Sequence, residues 1–285
     1  MGQTVAVMNT KGGVGKSTIV LSIAETLSAD HRRNVLVIDS DSQASLSSML
    51  MTPKSLNKLQ SQGLSIVDYL VSAVLKDETP NWQDYVVGGV SDVDEAQTVY
   101  LIPSDMQLTL FEREVSKGDH HSKLRKAIAT LLAEVQDVFD LVLIDCPPGL
   151  SVLTESWLRE ADFHLSPTKA DYISTCGLEV LRQFITFNPE MGFAENLGVL
   201  VNMKDKFSVV EHDYHNALCD NPQNACFAQA IPRVHAIQHA AHYQAGERSY
   251  SAKYLGEAGQ AIRVVTAELL TRLANAQAHA QTAAQ

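Results

Sequence analysis

The chain has 285 residues, 45% of them apolar, and carries 22 basic against 33 acidic side chains, a formal net charge of −11. This composition excludes a disordered polyelectrolyte, and the acidity argues against a dedicated nucleic-acid binder with a basic footprint. No run is apolar for long enough to span a bilayer, the N-terminus starts in a strand-like segment rather than a signal peptide, and a cytoplasmic location is expected.

Along the chain, "TVAVMN" (4–9) is a short β-branched strand that runs into the glycine-rich stretch "TKGGVGKST" (10–18). "STIVLSIAETLSA" (17–29) then carries Ile19, Ile23 and Leu27 at helical spacing. "NVLVID" (34–39) is a continuous apolar strand, the kind buried on both faces of a parallel sheet. Residues 52–97 are polar and acidic and predict one or two short helices among loops. Further strands are expected at 98–103, 141–148, 163–167 and 197–202, and helices at 121–137 and 173–187, with His120 and His121 at a helix start. Residues 261–273 place Ile262, Val265, Leu269 and Leu273 on one face, the pattern of a helix packed on the core. The Ala/Gln-rich tail (274–285) reads as a frayed helix end. Strands alternating with helices predict an α/β fold: a doubly wound, mostly parallel sheet with helices on both faces, in one domain over residues 1–285.

The glycine stretch has the context of a phosphate-binding P-loop, strand then loop then helix. Gly12, Gly13 and Gly15 let the backbone curl so that N–H groups, including those of Val14 and Thr18, can face phosphate oxygens. The following helix adds its positive end. Lys16 is placed to reach the terminal phosphates and Ser17 to put its hydroxyl on Mg²⁺. The pattern G-x-x-x-x-G-K-[ST] wants glycine where this chain has Thr10, and a second cation, Lys11, follows it. Two strand ends supply carboxylates. Asp145 closes "LVLID" ahead of Pro147 and Pro148, and suits a metal that takes one or two carboxylates plus waters. Asp39 and Asp41 flank a serine in "VLVIDSDSQ"; one can orient the metal's waters and the other the attacking water, while Asp41 also suits a helix N-cap.

Together "KGGVGKST" (11–18), "VLVIDSDSQ" (35–43) and "LVLIDCPPG" (141–149) resemble the ParA/MinD family of deviant Walker A ATPases, closest to ParA-type partition proteins without an N-terminal DNA-reading domain. "VLVNMKD" (199–205) and "AIPRVHAIQHA" (230–240) are similar to its two later segments near the base. The resemblance implies ATP and Mg²⁺ as cofactors and a slow Mg-dependent ATPase. It implies that Lys11 crosses to the nucleotide of a second subunit in an ATP-bound homodimer. It implies that Asp41 positions the hydrolytic water, that Asp39 and Asp145 stand near the metal, and that Asn202 and the backbone after Pro232 contact the base. Ser42 stands where the family commonly has proline.

The catalytic motifs do not separate the family's tasks. The first expectation is a partition or positioning ATPase whose ATP dimer binds nucleoid DNA without sequence preference and is fired by a ParB-like or cargo-borne activator. The candidate patch is Arg233, Lys253, Arg263 and Arg272, in a segment with five basic and three acidic residues. The alternative is a MinD-like, membrane-associated positioning ATPase, for which residues 261–273 carry only two basic side chains. No stable membrane association is expected. A reductase or metal carrier of the superfamily would need clustered cysteines, and Cys146, Cys176, Cys219 and Cys226 form no C-x-x-C pair. Cys219 and Cys226 read as two buried or loop thiols, and His235, His239 and His242 as one polar helix face.

Overall fold

The computed structural model describes residues 1–283. Its strands are β1 (Gln3–Val7), β2 (Val35–Asp39), β3 (Val87–Gly88), β4 (Val99–Ile102), β5 (Leu141–Asp145), β6 (Phe163–Thr168) and β7 (Glu195–Val201). They form a 7-stranded sheet in the order β3-β4-β2-β5-β1-β6-β7, parallel except where the short β3 pairs antiparallel with β4 at the edge. β2 and β5 are buried at every residue, as their unbroken apolar runs require.

Alternation along β1 builds two cores. Val5 and Val7 face one layer, with α1 (Lys16–His31), α2 (Ser45–Leu50), α11 (Tyr250–Lys253) and α12 (Glu257–Ala283). Ala6 and Met8 face the other, with α4 (Ile66–Leu70), α5 (Leu108–Lys117), α6 (His121–Gln136) and α7 (Val152–Glu160). The other helices, in chain order, are α3 (Pro53–Ser61), α8 (Tyr172–Phe187), α9 (Val209–Asp220) and α10 (His235–Ala240). Ile262, Val265, Leu269 and Leu273 of α12 are buried in the first core. The stripe that a membrane-lying helix would present is therefore covered by protein, which removes its support for the membrane reading. Among the described residues no helix is long and apolar enough to cross a membrane.

Three stretches differ from the sequence expectation. Residues 52–97 hold α3, α4, a π-helical turn at Val71–Leu75, a 3-10 turn at Trp82–Tyr85 and β3, more than one or two short helices. Helix α5 was not anticipated, although Leu108, Phe111 and Val115 give it a buried face. The Ala/Gln-rich tail continues α12 as far as Ala283, and the last two residues lie outside the described ones.

Parallel pairing fixes where the chemistry collects. In register, Val7 of β1 and Asp39 of β2 both lie beside Asp145 of β5. The carboxyl ends of the three central strands therefore open on one crevice, the usual ligand position of an open α/β sheet.

Candidate functional site

Residues 8–15 join β1 to α1 and curl because two glycines take left-handed geometry, Gly13 at φ 74° and Gly15 at φ 89°. A Cβ on Gly15 would stand 2.3 Å from the Asn202 side-chain nitrogen. Asn202 braces the loop: its Nδ2 donates to the Val14 carbonyl (2.8 Å), and its Oδ1 accepts the Met203 N–H (2.9 Å). The Thr10 hydroxyl donates to the Gly177 carbonyl of α8 (2.8 Å), and Asn9 Oδ1 accepts the Lys11 N–H (2.9 Å). Thr10, in the place of the usual glycine, thus ties the loop to a neighbouring helix. Helix α1 starts at Lys16 with no side-chain cap and no acidic residue in its first turn, leaving its N-terminal donors to an anion.

The two lysines have opposite surroundings. Lys11 is exposed, and its ammonium has no ion pair or hydrogen bond among the described residues, whereas Lys16 is 7% exposed. Burial lowers the Lys16 pKa, opposed by Asp145, Cys146 and Asp41. Asp39 and Asp145 are buried side by side on β2 and β5. Burial pushes Asp39 up to about 6 although Ser47 donates to it from both its hydroxyl (2.7 Å) and its N–H (2.8 Å). Burial, and then the charge of Asp39, hold Asp145 well above the usual carboxylate range, opposed by Ser17 and Lys16. Neither Asp145 oxygen has a well-formed hydrogen bond among the described residues.

Buried carboxylates short of positive charge, beside a serine hydroxyl, are a donor set for a hard divalent cation. A glycine loop with a helix N-terminus and a buried lysine is a receptor for phosphate oxygens. The residues fit Mg²⁺ and a nucleoside triphosphate together. Ser17 and Thr18 are partly exposed at the loop's end, Gly12 is exposed, and Val14 is buried beneath it. Asp41 is partly exposed; its Oδ1 accepts the Gln43 N–H (2.9 Å) and its carbonyl accepts the Ala44 N–H (2.8 Å). Ala44, not Asp41, occupies the N-cap position of α2, so the capping alternative gives way to a local turn that leaves Asp41 at the crevice. Pro232 lies beside Lys204, with Lys204 N–H donating to Ile231 (3.0 Å) and Arg233 N–H to Lys204 (2.9 Å).

The proposed DNA patch does not assemble. Lys253 is wholly buried, with its ammonium 2.7 Å from both Glu25 and Asp92. Arg272 stacks over Phe227 and donates to the carbonyls of Leu197, Ala225 and Cys226 and to Glu268. Arg263 is held by Asp30 over the Tyr250 ring, and Arg233 by Glu211. A buried or fully engaged cation has no charge to lend a phosphate backbone. Lys253 and Arg272 are therefore structural residues, and nothing in residue spacing distinguishes them from surface cations. Sequence reading also missed Ser47, the donor to Asp39, and Glu25 and Asp92, the partners of Lys253.

Cys146 is fully buried, and burial raises its thiol's pKa. His235, His239 and His242 are exposed, with His242 beyond the end of α10. Among the described residues no group of three His, Cys, Asp or Glu side chains forms a metal cluster of its own.

Residues 2–197 match the family model described as an AAA domain, more than half of the chain. The chain belongs to the ParA/MinD family of P-loop ATPases. The chromosome partitioning protein ParA of Myxococcus xanthus is 28% identical over 239 residues, 82% of this chain and 76% of that protein. A Mycobacterium smegmatis structure described as cobyrinic acid a,c-diamide synthase, with bound ADP and magnesium, has a TM-score of 0.72 at 25% identity, covering 95% of this chain and 94% of that one. A putative plasmid partition protein of Borrelia burgdorferi bound to AMPPNP shares the fold, with a TM-score of 0.70 at 19% identity over 95% and 100% of the two chains. The crevice at the carboxyl ends of β1, β2 and β5 therefore sits on the family's fold.

Proposed function

We propose that this ParA-like ATPase binds Mg·ATP in the P-loop crevice, closes into a homodimer, and in that state binds DNA without sequence preference until a partner protein triggers hydrolysis. The observation that carries the reading is Lys11, an exposed ammonium, unpaired among the described residues, at the mouth of a loop that already holds its own buried lysine. Surrounding surface supports a second copy there. Gly177 packs α8 against Thr10 and Lys11, and the exposed apolar residues Tyr172 and Ile173 begin that helix. Val209 and Val210, also exposed, begin α9.

In the mechanism, Gly12, Gly13, Val14, Gly15 and Thr18 hold the phosphates through backbone N–H groups, and Lys16 neutralises charge on the terminal oxygens. Ser17 and Asp145 hold the metal, and Asp39 stands beside Asp145. Held by Ser17 and Asp145, Mg²⁺ would supply positive charge against the negative charge of the terminal phosphate. Asp41 orients the attacking water. Lys11 of one subunit adds positive charge at its partner's phosphates, an effect worth roughly 10³–10⁵ in rate for the analogous arginine fingers. Asn202 and the backbone after Pro232 form the base side, with adenine the base. Basal turnover is slow and rises when an activator completes the site. Residues 1–285 act as one ATPase domain, located in the cytoplasm on the nucleoid.

With Lys253 and Arg272 engaged internally, Arg233 and Arg263 are the exposed remainder of the expected patch. The test is fluorescence anisotropy of a random-sequence duplex in Mg·ADP and in Mg·ATPγS. Binding confined to ATPγS and lost steeply with salt is expected. A dimer in ATPγS that leaves the duplex free would overturn DNA as the ligand.

A further inference from the structure

The hydrogen bonds of Asp41 among the described residues are local. Its N–H donates to Asp39 Oδ1 (3.2 Å), and its Oδ1 and carbonyl close a turn with Gln43 and Ala44. Its place against the phosphate loop is therefore set by its neighbours. Next to it, Ser40 is fully buried and held twice. The Ser40 N–H donates to the Asp145 carbonyl (3.0 Å), and its Oγ accepts the indole N–H of Trp157 (2.6 Å), 117 residues further along the chain. Trp157 is itself fully buried on α7, in the core that Ala6 and Met8 face. The start of α7 hangs on the glycine loop: the Gly149 N–H donates to the Thr10 carbonyl (3.0 Å), and Ser151 caps the helix by accepting the Thr154 N–H (3.3 Å).

We propose, on the reading that Asp41 orients the attacking water, that Trp157 is a positioning residue for hydrolysis. Its indole N–H, through Ser40 Oγ, holds Asp41 in a fixed place relative to the phosphate loop. In-line attack needs the water and the phosphorus held in one frame, and a displacement of about 1 Å can cost about 10²-fold in rate. The ladder of β2 on β5 ends at the Asp39–Asp145 pair, so the residues after it need another tether. Ser40 supplies it, with one bond to the end of β5 and one to α7.

An indole suits the task. Its N–H only donates, so the sense of the bond is fixed, and a ring in a close-packed core has little freedom to swing away. Buried indole N–H groups usually find a partner, and many such bonds do nothing more. Here the partner is the one residue that separates Asp39 from Asp41. On the other side Ser47 of α2 holds Asp39 by two bonds. The segment 39–41 is thus braced from both helix layers, α2 in one core and α7 in the other. Nothing in the spacing of the sequence pairs Ser40 with Trp157.

The experiment measures mant-ATP affinity and single-turnover hydrolysis of Mg·ATP by the full chain. Trp157→Phe keeps a ring and removes the donor; Ser40→Ala removes the acceptor. Each variant should bind mant-ATP within about threefold of the parent and hydrolyse ATP about 10-fold more slowly or worse. The double variant should be no slower than the slower single one, and Trp157→Phe should add nothing to Asp41→Ala. Ser40→Ala, which leaves the core ring in place, decides alone should Trp157→Phe not fold. Hydrolysis at the parent's rate in a folded single variant would overturn the proposal, as would a loss of hydrolysis that only tracks a loss of binding. Parental hydrolysis by Asp41→Ala would remove the reading beneath it as well. A slow Asp41→Ala beside a fast Trp157→Phe would keep that reading and discard the positioning role.

Discussion

Lys11 and Lys16 are separated by one glycine loop and by nearly the whole range of solvation. Because Lys11 has no acidic partner among the described residues, Lys11→Ala should leave mant-ATP affinity within about threefold while abolishing the ATPγS-dependent dimer in sedimentation velocity. A variant that still dimerises would remove its role in trans. Asp41 is partly exposed and makes only local turn contacts, so Asp41→Ala should keep nucleotide binding and slow single-turnover hydrolysis by about 10²-fold or more, trapping the dimer. Brisk turnover would assign the water to another residue. His164 gives a pH prediction. Burial holds its imidazole down at about 4 against an ordinary 6.5, despite the bond between its Nδ1 and the Ala194 carbonyl. Between those values the unfolded chain binds a proton that the native chain refuses, so stability falls as pH drops from about 6.5 to about 4. Chemical denaturation across that window should show this slope, up to about 3 kcal/mol, and His164→Asn, which can still donate to Ala194, should flatten it.

At the scale of elements, the site is a junction of β1, α1 and the carboxyl ends of β2 and β5. Gly15 is the joint. Its φ of 89° and the nearness of Asn202 leave no room for a side chain. Gly15→Ala should therefore displace Asn202 from the Val14 carbonyl and lower ATP affinity at least 100-fold by calorimetry, with the far-ultraviolet spectrum of the fold retained. Unchanged affinity would mean that the loop is not the phosphate receptor. Much of this junction was legible beforehand. Strand, glycine loop and helix follow one another in the chain, and apolar runs end at Asp39 and Asp145. The register that sets Asp39 beside Asp145 was not legible, because β2 and β5 are separated by two strands in the chain and meet only through crossovers.

Across the molecule, a buried ionic network ties the beginning of the chain to its end. Lys253 ahead of α12 meets Glu25 of α1 and Asp92, Tyr254 donates to Glu25 (2.7 Å), and Arg248 donates to Asp92 (2.8 Å). Removing the central cation leaves two buried carboxylates facing one another. Lys253→Met should cost about 3–5 kcal/mol in urea denaturation, and adding Glu25→Gln and Asp92→Asn should recover part of that loss. A cost below about 1 kcal/mol would show that water reaches the network. The same network explains why a basic patch drawn from the C-terminal sequence does not stand: the count of arginines and lysines was right, but carboxylates from α1 and the 91–95 segment take up one of them wholly.

The sequence by itself determined the glycine loop between strand and helix, the carboxylates that end β2 and β5, the alternation of strands and helices, and the family. Each of these is written in neighbouring residues, and local spacing is what linear reading measures. Only the tertiary structure decided which cations are free and which carboxylates are buried side by side. Lys253 and Asp145 acquire their chemistry from burial and from partners brought by other parts of the chain, and desolvation has no signature in the order of residues.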